Sequence, residues 1–77
     1  MEELRKELIT IANAAPHGAH GKVAAKCEIS QVYLQQIRGG RNMTTDNEKN
    51  VAFMKKLIKA YKKEIEKEAK KLNKLWN

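Results

Sequence analysis

The segment KVAAKCEISQVYLQQIRGGR, residues 22–41, is the most informative part of this chain. Its apolar residues fall where two short helices joined by a tight turn would bury them. The predicted inner face consists of Val23, Ala24 and Cys27 in the first helix, Ile29 in the turn, and Leu34 and Ile37 in the second helix. The pattern predicts a helix-turn-helix unit.

The outward face of the second helix is the best candidate for a functional surface. Its residues are Ser30, Gln31, Val32, Gln35 and Gln36. A solvated helix face usually carries charged side chains, whereas amides can pair with the edges of bases in the major groove of DNA. The face therefore favours a helix that contacts base pairs.

On these residues the chain resembles the lambda repressor and Cro class of DNA-binding proteins, also called the xenobiotic-response-element family. The family motif is an apolar-Ala pair, a turn, Ser-x-x-Tyr-aliphatic, and a second aliphatic residue before Gly. Its counterparts here are Val23, Ala24, Ile29, Ser30, Tyr33, Leu34, Ile37 and Gly40. One position departs, because Glu28 stands where the family usually has a left-handed Gly, and a non-Gly residue in that conformation costs roughly 1 kcal/mol. The turn could therefore be looser than in the family.

The resemblance implies a sequence-specific transcriptional regulator, repressor-like and of phage or mobile-element type, that binds double-stranded DNA as a homodimer. The expected base contacts are Gln31, Val32, Gln35, Gln36 and Asn42. The expected phosphate contacts are His20, Gly21, Lys22, Lys26, Ser30, Tyr33, Arg38 and Arg41. Tyr33 could instead be plain core packing, and the polar residues of the loop around Asn42 could be simply solvated.

Length and composition favour a small all-α domain and argue against an enzyme. The chain has 77 residues, enough for one modest core but few for a separate substrate cleft. Aromatic residues make up 5% of it, so aliphatic side chains must build the core, as in packed short helices. Since no paired carboxylates, nucleophile with base, or phosphate loop is recognisable, we expect neither an enzyme nor a cofactor.

The net charge of +7 indicates a polyanionic partner. Residues 1–44 carry six basic and four acidic side chains, net +2, whereas residues 45–77 carry ten lysines and five acidic side chains, net +5. A lysine-rich helix can also be merely soluble. With no charged-then-apolar leader and no long apolar run in the sequence, we expect a cytoplasmic, nucleoid-associated protein of prokaryotic or viral origin, the origin being implied by the resemblance.

Two histidines and one cysteine raise the question of a metal site. A zinc site around His17, His20 and Cys27 would need further ligands at characteristic spacings, and the sequence offers no second cysteine pair. We therefore expect no metal. A single cysteine excludes an intramolecular disulfide, and Cys27 is expected to be a small buried thiol.

Two further helices flank the motif. Residues 2–14 predict a helix that Pro16 ends. Thr45 and Glu48 match a capping box, and no Pro or Gly interrupts the chain from there to Asn77. The result would be a long C-terminal helix of about 31 residues and about 46 Å, too long for the domain to bury.

The apolar residues of this long helix divide it into two parts. Spacings of three and four residues connect Val51, Met54, Ile58, Tyr61, Ile65, Leu72 and Leu75. We expect residues 1–60 to form the DNA-binding domain and residues 61–77 to extend the helix beyond it. The extension is a candidate homodimer contact through Tyr61, Ile65, Leu72 and Leu75. The alternatives are an antitoxin-like module that binds a partner protein, a membrane-surface helix, which we do not favour, and a solvated tail.

Overall fold

The computed structural model describes residues 1–76, and the side chains of residues 1–74. This part of the chain forms four α-helices: α1 (Glu2–Ala14), α2 (Ala19–Lys26), α3 (Gln31–Arg38) and α4 (Glu48–Trp76). The predicted all-α class is confirmed. The molecule measures 46 × 22 × 17 Å, its length set by α4. None of the helices in residues 1–76 combines the length and the apolarity needed to cross a bilayer.

One apolar core joins all four helices. The large side chains buried in it are Leu8, Val23, Leu34, Ile37, Met54, Leu57 and Tyr61. Residues of the motif predicted to face inward are buried, except Ile29 in the turn, which is half-buried. Burying each such aliphatic side chain contributes roughly 1.5–3 kcal/mol, so the helix-turn-helix faces are held by the core. α4 packs mainly against α1 and α2, which leaves the outer face of α3 uncovered.

The turn between α2 and α3 is closed by the hydrogen bonds of a left-handed helix end. The N–H of Ile29 donates to the carbonyl of Ala24 at 2.9 Å, and the N–H of Glu28 donates to the carbonyl of Ala25 at 3.2 Å. Glu28 has a φ of 59°, so a glutamate takes the left-handed conformation that the family gives to Gly. The turn is not looser for it, because both orphan carbonyls of the last helical turn are satisfied.

α4 begins later than the sequence predicts. Ala19 starts α2 after Gly18, which has a φ of 88°. The capping box of Thr45 with Glu48 is wrong. Asn47 caps α4 instead, since its Oδ1 accepts from the N–H of Asn50 at 2.9 Å. Asn caps a helix as well as Thr does, and α4 begins at the residue after Asn47.

The buried part of α4 extends past residue 60. Tyr61 is fully buried and Glu64 is 6% exposed, whereas side chains 66–74 are exposed. The predicted boundary at residue 60 is therefore too early, and Tyr61 is wrong as a dimer contact because the core of its own chain covers it. Ile65 is half-buried and Leu72 is exposed. The side chain of Leu75, also expected at that contact, lies outside the described side chains.

Candidate nucleic-acid interface

The outer face of α3 is exposed as the sequence predicts. Ser30 caps the helix, its hydroxyl oxygen accepting from the N–H of Tyr33 at 3.0 Å. Gln31 and Gln35 are exposed, and Val32 is 64% exposed. Tyr33 is half-buried and packs against the core. A helix that carries exposed amides and an exposed valine, anchored by a buried opposite face, presents neutral hydrogen-bonding groups to a partner.

An open groove of about 390 Å³ runs along this face, and we call it the α3 groove. Its lining residues are Val32, Gln35, Gln36, Gly39 and Arg41. Three expected base contacts thus meet in one concavity. Arg41, expected at a phosphate, lies at the same concavity, so the groove offers a cation beside two amides and a methyl-bearing side chain.

Asn42 orients one of these amides. Its Nδ2 donates to Oε1 of Gln36 at 2.7 Å, and both residues are half-buried. The carbonyl of Gln36 therefore has one lone pair engaged, while its NH₂ group keeps both hydrogens for another acceptor. The structure thus places Asn42 against Gln36, where it fixes the direction in which the Gln36 amide points.

Gly21 and Gln31 connect the start of α2 with the start of α3. A Cβ at Gly21 would lie 3.1 Å from Nε2 of Gln31, closer than ordinary van der Waals contact. The absence of a side chain at Gly21 lets the Gln31 amide lie across the first turn of α2. The N-terminal ends of both motif helices therefore meet at this point.

His20 is held by one residue from the core and one from α3. The hydroxyl of Tyr61 donates to Nδ1 of His20 at 2.7 Å, and Nη1 of Arg38 lies 3.4 Å from the same nitrogen. Since a guanidinium can only donate, Nδ1 acts as an acceptor and the ring is neutral. Burial first, and then the charge of Arg38, lowers the pKa of His20 below its usual value.

Arg38 is consequently fixed at the end of α3. Its side chain is half-buried, and its Nε is buried without a hydrogen-bond partner among the described residues. Burial also raises the pKa of the Tyr61 hydroxyl, so this hydroxyl stays protonated as a donor. The His20–Tyr61 hydrogen bond therefore holds a ring against which the guanidinium rests, while other N–H groups of Arg38 remain for an anion.

The two lysines expected at phosphates lie apart from the α3 groove. Lys22 borders a depression between α2 and α4 that also contains His17, Lys67 and Lys71 together with Glu64 and Glu68. Lys26 lies on a different depression, next to Lys56, Lys59 and Lys63. Both lysines are exposed, but neither lines the groove itself.

No metal-binding cluster forms from the histidines and the cysteine. Within the described part of the chain, no three His, Cys, Asp or Glu side chains come together in a set that could hold a metal ion. Cys27 is a free, buried thiol, and its burial raises its pKa. It packs in the core as the sequence predicts.

Sequence reasoning missed three features near this interface. It did not place Tyr61 against His20, it did not identify Glu64 as buried, and it did not connect Lys26 with the lysines of α4. The spacing of Lys56, Lys59 and Lys63 at i, i+3 and i+7 was a usable signal, because residues so spaced share one helix face.

Comparisons with known protein families, with curated proteins and with solved structures found no match to this chain. The geometry itself offers a defined chemistry. Amide donors and acceptors and an exposed valine lie on a rigid helix, and the cations Arg38 and Arg41 lie at the end of that helix and beyond it.

Proposed function

We propose that this chain is a sequence-specific DNA-binding regulator, repressor-like and of the lambda repressor and Cro type, that inserts α3 into the major groove. One observation carries the proposal: the outer face of α3 has three amides, two of them exposed, a 64% exposed valine, and no acidic side chain. Acidic groups there would repel phosphates, whereas amides can form hydrogen bonds with base edges.

The side chains on the outer face of α3, together with Asn42, each have a defined role in this proposal. Gln31, Gln35 and Gln36 each present an amide, and a glutamine amide can pair with N6 and N7 of adenine. Asn42 prepares the Gln36 amide by fixing its orientation, so less side-chain freedom is lost on binding. Val32 packs its methyl groups against the methyl of a thymine.

Phosphate contacts around the groove set the register of α3 on the duplex. Ser30 uses its oxygen as the cap of α3 and keeps its O–H for a phosphate oxygen. Arg38, the last residue of α3, and Arg41 beyond it supply positive charge at this end of the helix. The start of α2 at His20 and Gly21 lies beside Gln31, and its backbone N–H groups, which lack helical partners, can donate to a further phosphate.

We further propose that the exposed end of α4 joins two copies of the chain into a dimer, and that this dimer binds a two-fold DNA site. Ile65, Ala69 and Leu72 face Ala14 and Pro16 across an open, mostly apolar depression of about 250 Å³. A second copy of the helix could cover it, with Glu68 at its edge. A chain truncated after Lys67 keeps the buried residues Tyr61 and Glu64, so it should fold, sediment as a monomer, and lose affinity for a palindrome but not for a half-site.

Selection of bound sites from random duplex DNA tests the function. We expect an enriched palindrome, and on it Gln35→Ala or Gln36→Ala should cost about 1–3 kcal/mol and relax the choice of one base pair. Asn13→Ala is the matched control, since it removes an exposed amide from α1. Equal losses of affinity for selected and for random DNA would contradict base contacts by α3.

One observation favours a second function, an antitoxin-like module that binds a partner protein. Leu72 is 49% exposed on a helix end that its own domain does not cover. In that case Leu72→Ala would abolish partner binding while Gln35→Ala and Gln36→Ala would leave it intact. The same glutamine variants distinguish the two proposals, because DNA binding depends on them.

A further inference from the structure

A second basic surface lies where the end of α2 meets the middle of α4. A depression of about 160 Å³ is lined by Lys26, Lys56, Lys59 and Lys63 around a floor of Cys27 and Ala60. We call it the basic pocket. All four lysines are exposed, while Cys27 and Ala60 are buried. The side chains of four lysines thus line the depression around a small apolar floor.

The basic pocket contains no acidic residue. Among the side chains of residues 1–74, the ion pairs join the Met1 amino group to Asp46 and Lys67 to Glu64, so none involves these four lysines. Lys59 also borders a depression with Glu7, Lys55 and Lys62, so it has an acidic residue nearby. Lys26, Lys56 and Lys63 border neither that depression nor the one in which Lys71 lies with Glu64 and Glu68.

The lysines lie close to the thiol on the floor. The charges of Lys56 and Lys26 oppose the effect of burial on the pKa of Cys27, as expected if both ammonium groups lie on that side of the molecule. Like charges gathered with few counter-charges repel one another. A bound polyanion would remove that repulsion.

The spacing of the cluster suits a nucleic-acid backbone. Residues 56 and 63 are seven residues apart on one helix face, which is a rise of about 10 Å. Successive phosphates of one DNA strand advance about 3.4 Å along the duplex axis, so the row spans about three of them. A membrane fits less well, because the large exposed hydrophobic side chains of the described residues are Ile9, Val32 and Leu72, none of them in this pocket.

The basic pocket and the α3 groove are separate surfaces. They share no lining residue, and the helix that carries most of the pocket packs mainly against α1 and α2. We propose that the basic pocket binds the phosphate backbone of a second DNA duplex, without sequence preference, while α3 occupies the first. This inference rests on the proposed function for the choice of DNA as the ligand. It would make the protein a bridge between two DNA segments.

A charge-matched pair of variants of the full chain tests the pocket. Lys56→Gln/Lys59→Gln/Lys63→Gln removes three charges from the pocket, and Lys55→Gln/Lys62→Gln/Lys71→Gln removes three exposed charges elsewhere on α4. Affinity for a random-sequence duplex is measured by fluorescence anisotropy against salt. We expect the slope of log K on log salt to shrink by about 2–3 for the pocket variant and by less than about one for the control.

Energy transfer between two short duplexes, one with a donor dye and one with an acceptor dye, tests bridging. The pocket variant should lose the transfer while still binding a single selected duplex, and the control variant should keep it. Bridging through a dimer of α3 surfaces would survive in the pocket variant and would overturn the inference. Equal slopes for the two variants, or tighter binding of polyglutamate than of duplex at the same salt, would also overturn it.

The test of the basic pocket and the test of the proposed function can fail independently of each other. If site selection yields no preferred sequence, sequence-specific binding by α3 fails, but the salt slopes on random duplex still decide the pocket. If selection succeeds and the slopes of the two variants agree, only the pocket fails. Circular dichroism of both variants checks that the helices are intact.

Discussion

Replacing Tyr61 by Phe removes one hydroxyl and leaves the buried ring in place. That hydroxyl donates to Nδ1 of His20 at 2.7 Å, and after its loss only Nη1 of Arg38, at 3.4 Å, remains near the nitrogen. A hydrogen bond of this kind contributes about 0.5–1.5 kcal/mol net. We therefore expect the free energy of unfolding to fall by about 1 kcal/mol, which lowers the Tm of a domain of this size by about 4–8 °C.

Urea unfolding followed by circular dichroism measures the change near neutral pH. The midpoint should fall with an unchanged m-value, since the surface exposed on unfolding is the same. Tyr33→Phe is the matched control, because Tyr33 is half-buried and its hydroxyl makes no hydrogen bond among the described residues. An equal loss in the two variants, or no loss in Tyr61→Phe, would refute the role of the His20–Tyr61 bond.

The contact between His20 and Tyr61 also predicts that the stability of the fold depends on pH. Burial and Arg38 lower the pKa of folded His20 below its value of about 6.5 in the unfolded chain. The folded state therefore prefers the neutral ring, and this contribution to stability is present above about pH 6.5 and is lost as the pH falls through the folded pKa. His20→Gln should lack this component of acid destabilisation. Parallel stability curves for the variant and the natural chain would contradict it.

Three further predictions concern the turn, the start of α4 and the α3 groove. Glu28→Gly should raise the free energy of unfolding by about 0.5–1 kcal/mol, because Gly adopts the φ of 59° without strain. A lower Tm of the variant in thermal unfolding would show that the turn is not strained. Asn47→Ala should cost about 1 kcal/mol of stability and Thr45→Ala only a few tenths, and the reverse order in urea unfolding would restore the capping box. In a double-mutant cycle on the selected DNA site, Gln36→Ala and Asn42→Ala should couple by at least about 0.5 kcal/mol, whereas additive losses would mean that Asn42 does not orient Gln36.

The helices and the faces of the motif could be predicted from the sequence because the forces that set them are local. The period of apolar residues decides which side of a short helix is buried, Ser30 caps α3 through its own hydroxyl, and Pro16 prevents α1 from continuing. The exposure of Gln31, Val32 and Gln35 follows from the burial of Leu34 and Ile37 on the opposite side. These expectations needed no knowledge of neighbouring helices.

The tertiary structure alone decided where the long helix leaves the core. Tyr61 fits the stripe of a partner-facing helix as well as that of a core helix, and it is buried because His20 from α2 lies beside it and satisfies its hydroxyl. The grouping of Lys26 with the lysines of α4, and the contact of Asn42 with Gln36, likewise depend on how separate segments pack. A periodic pattern specifies which face of a helix is apolar, but the position of the other helices in space determines what covers that face.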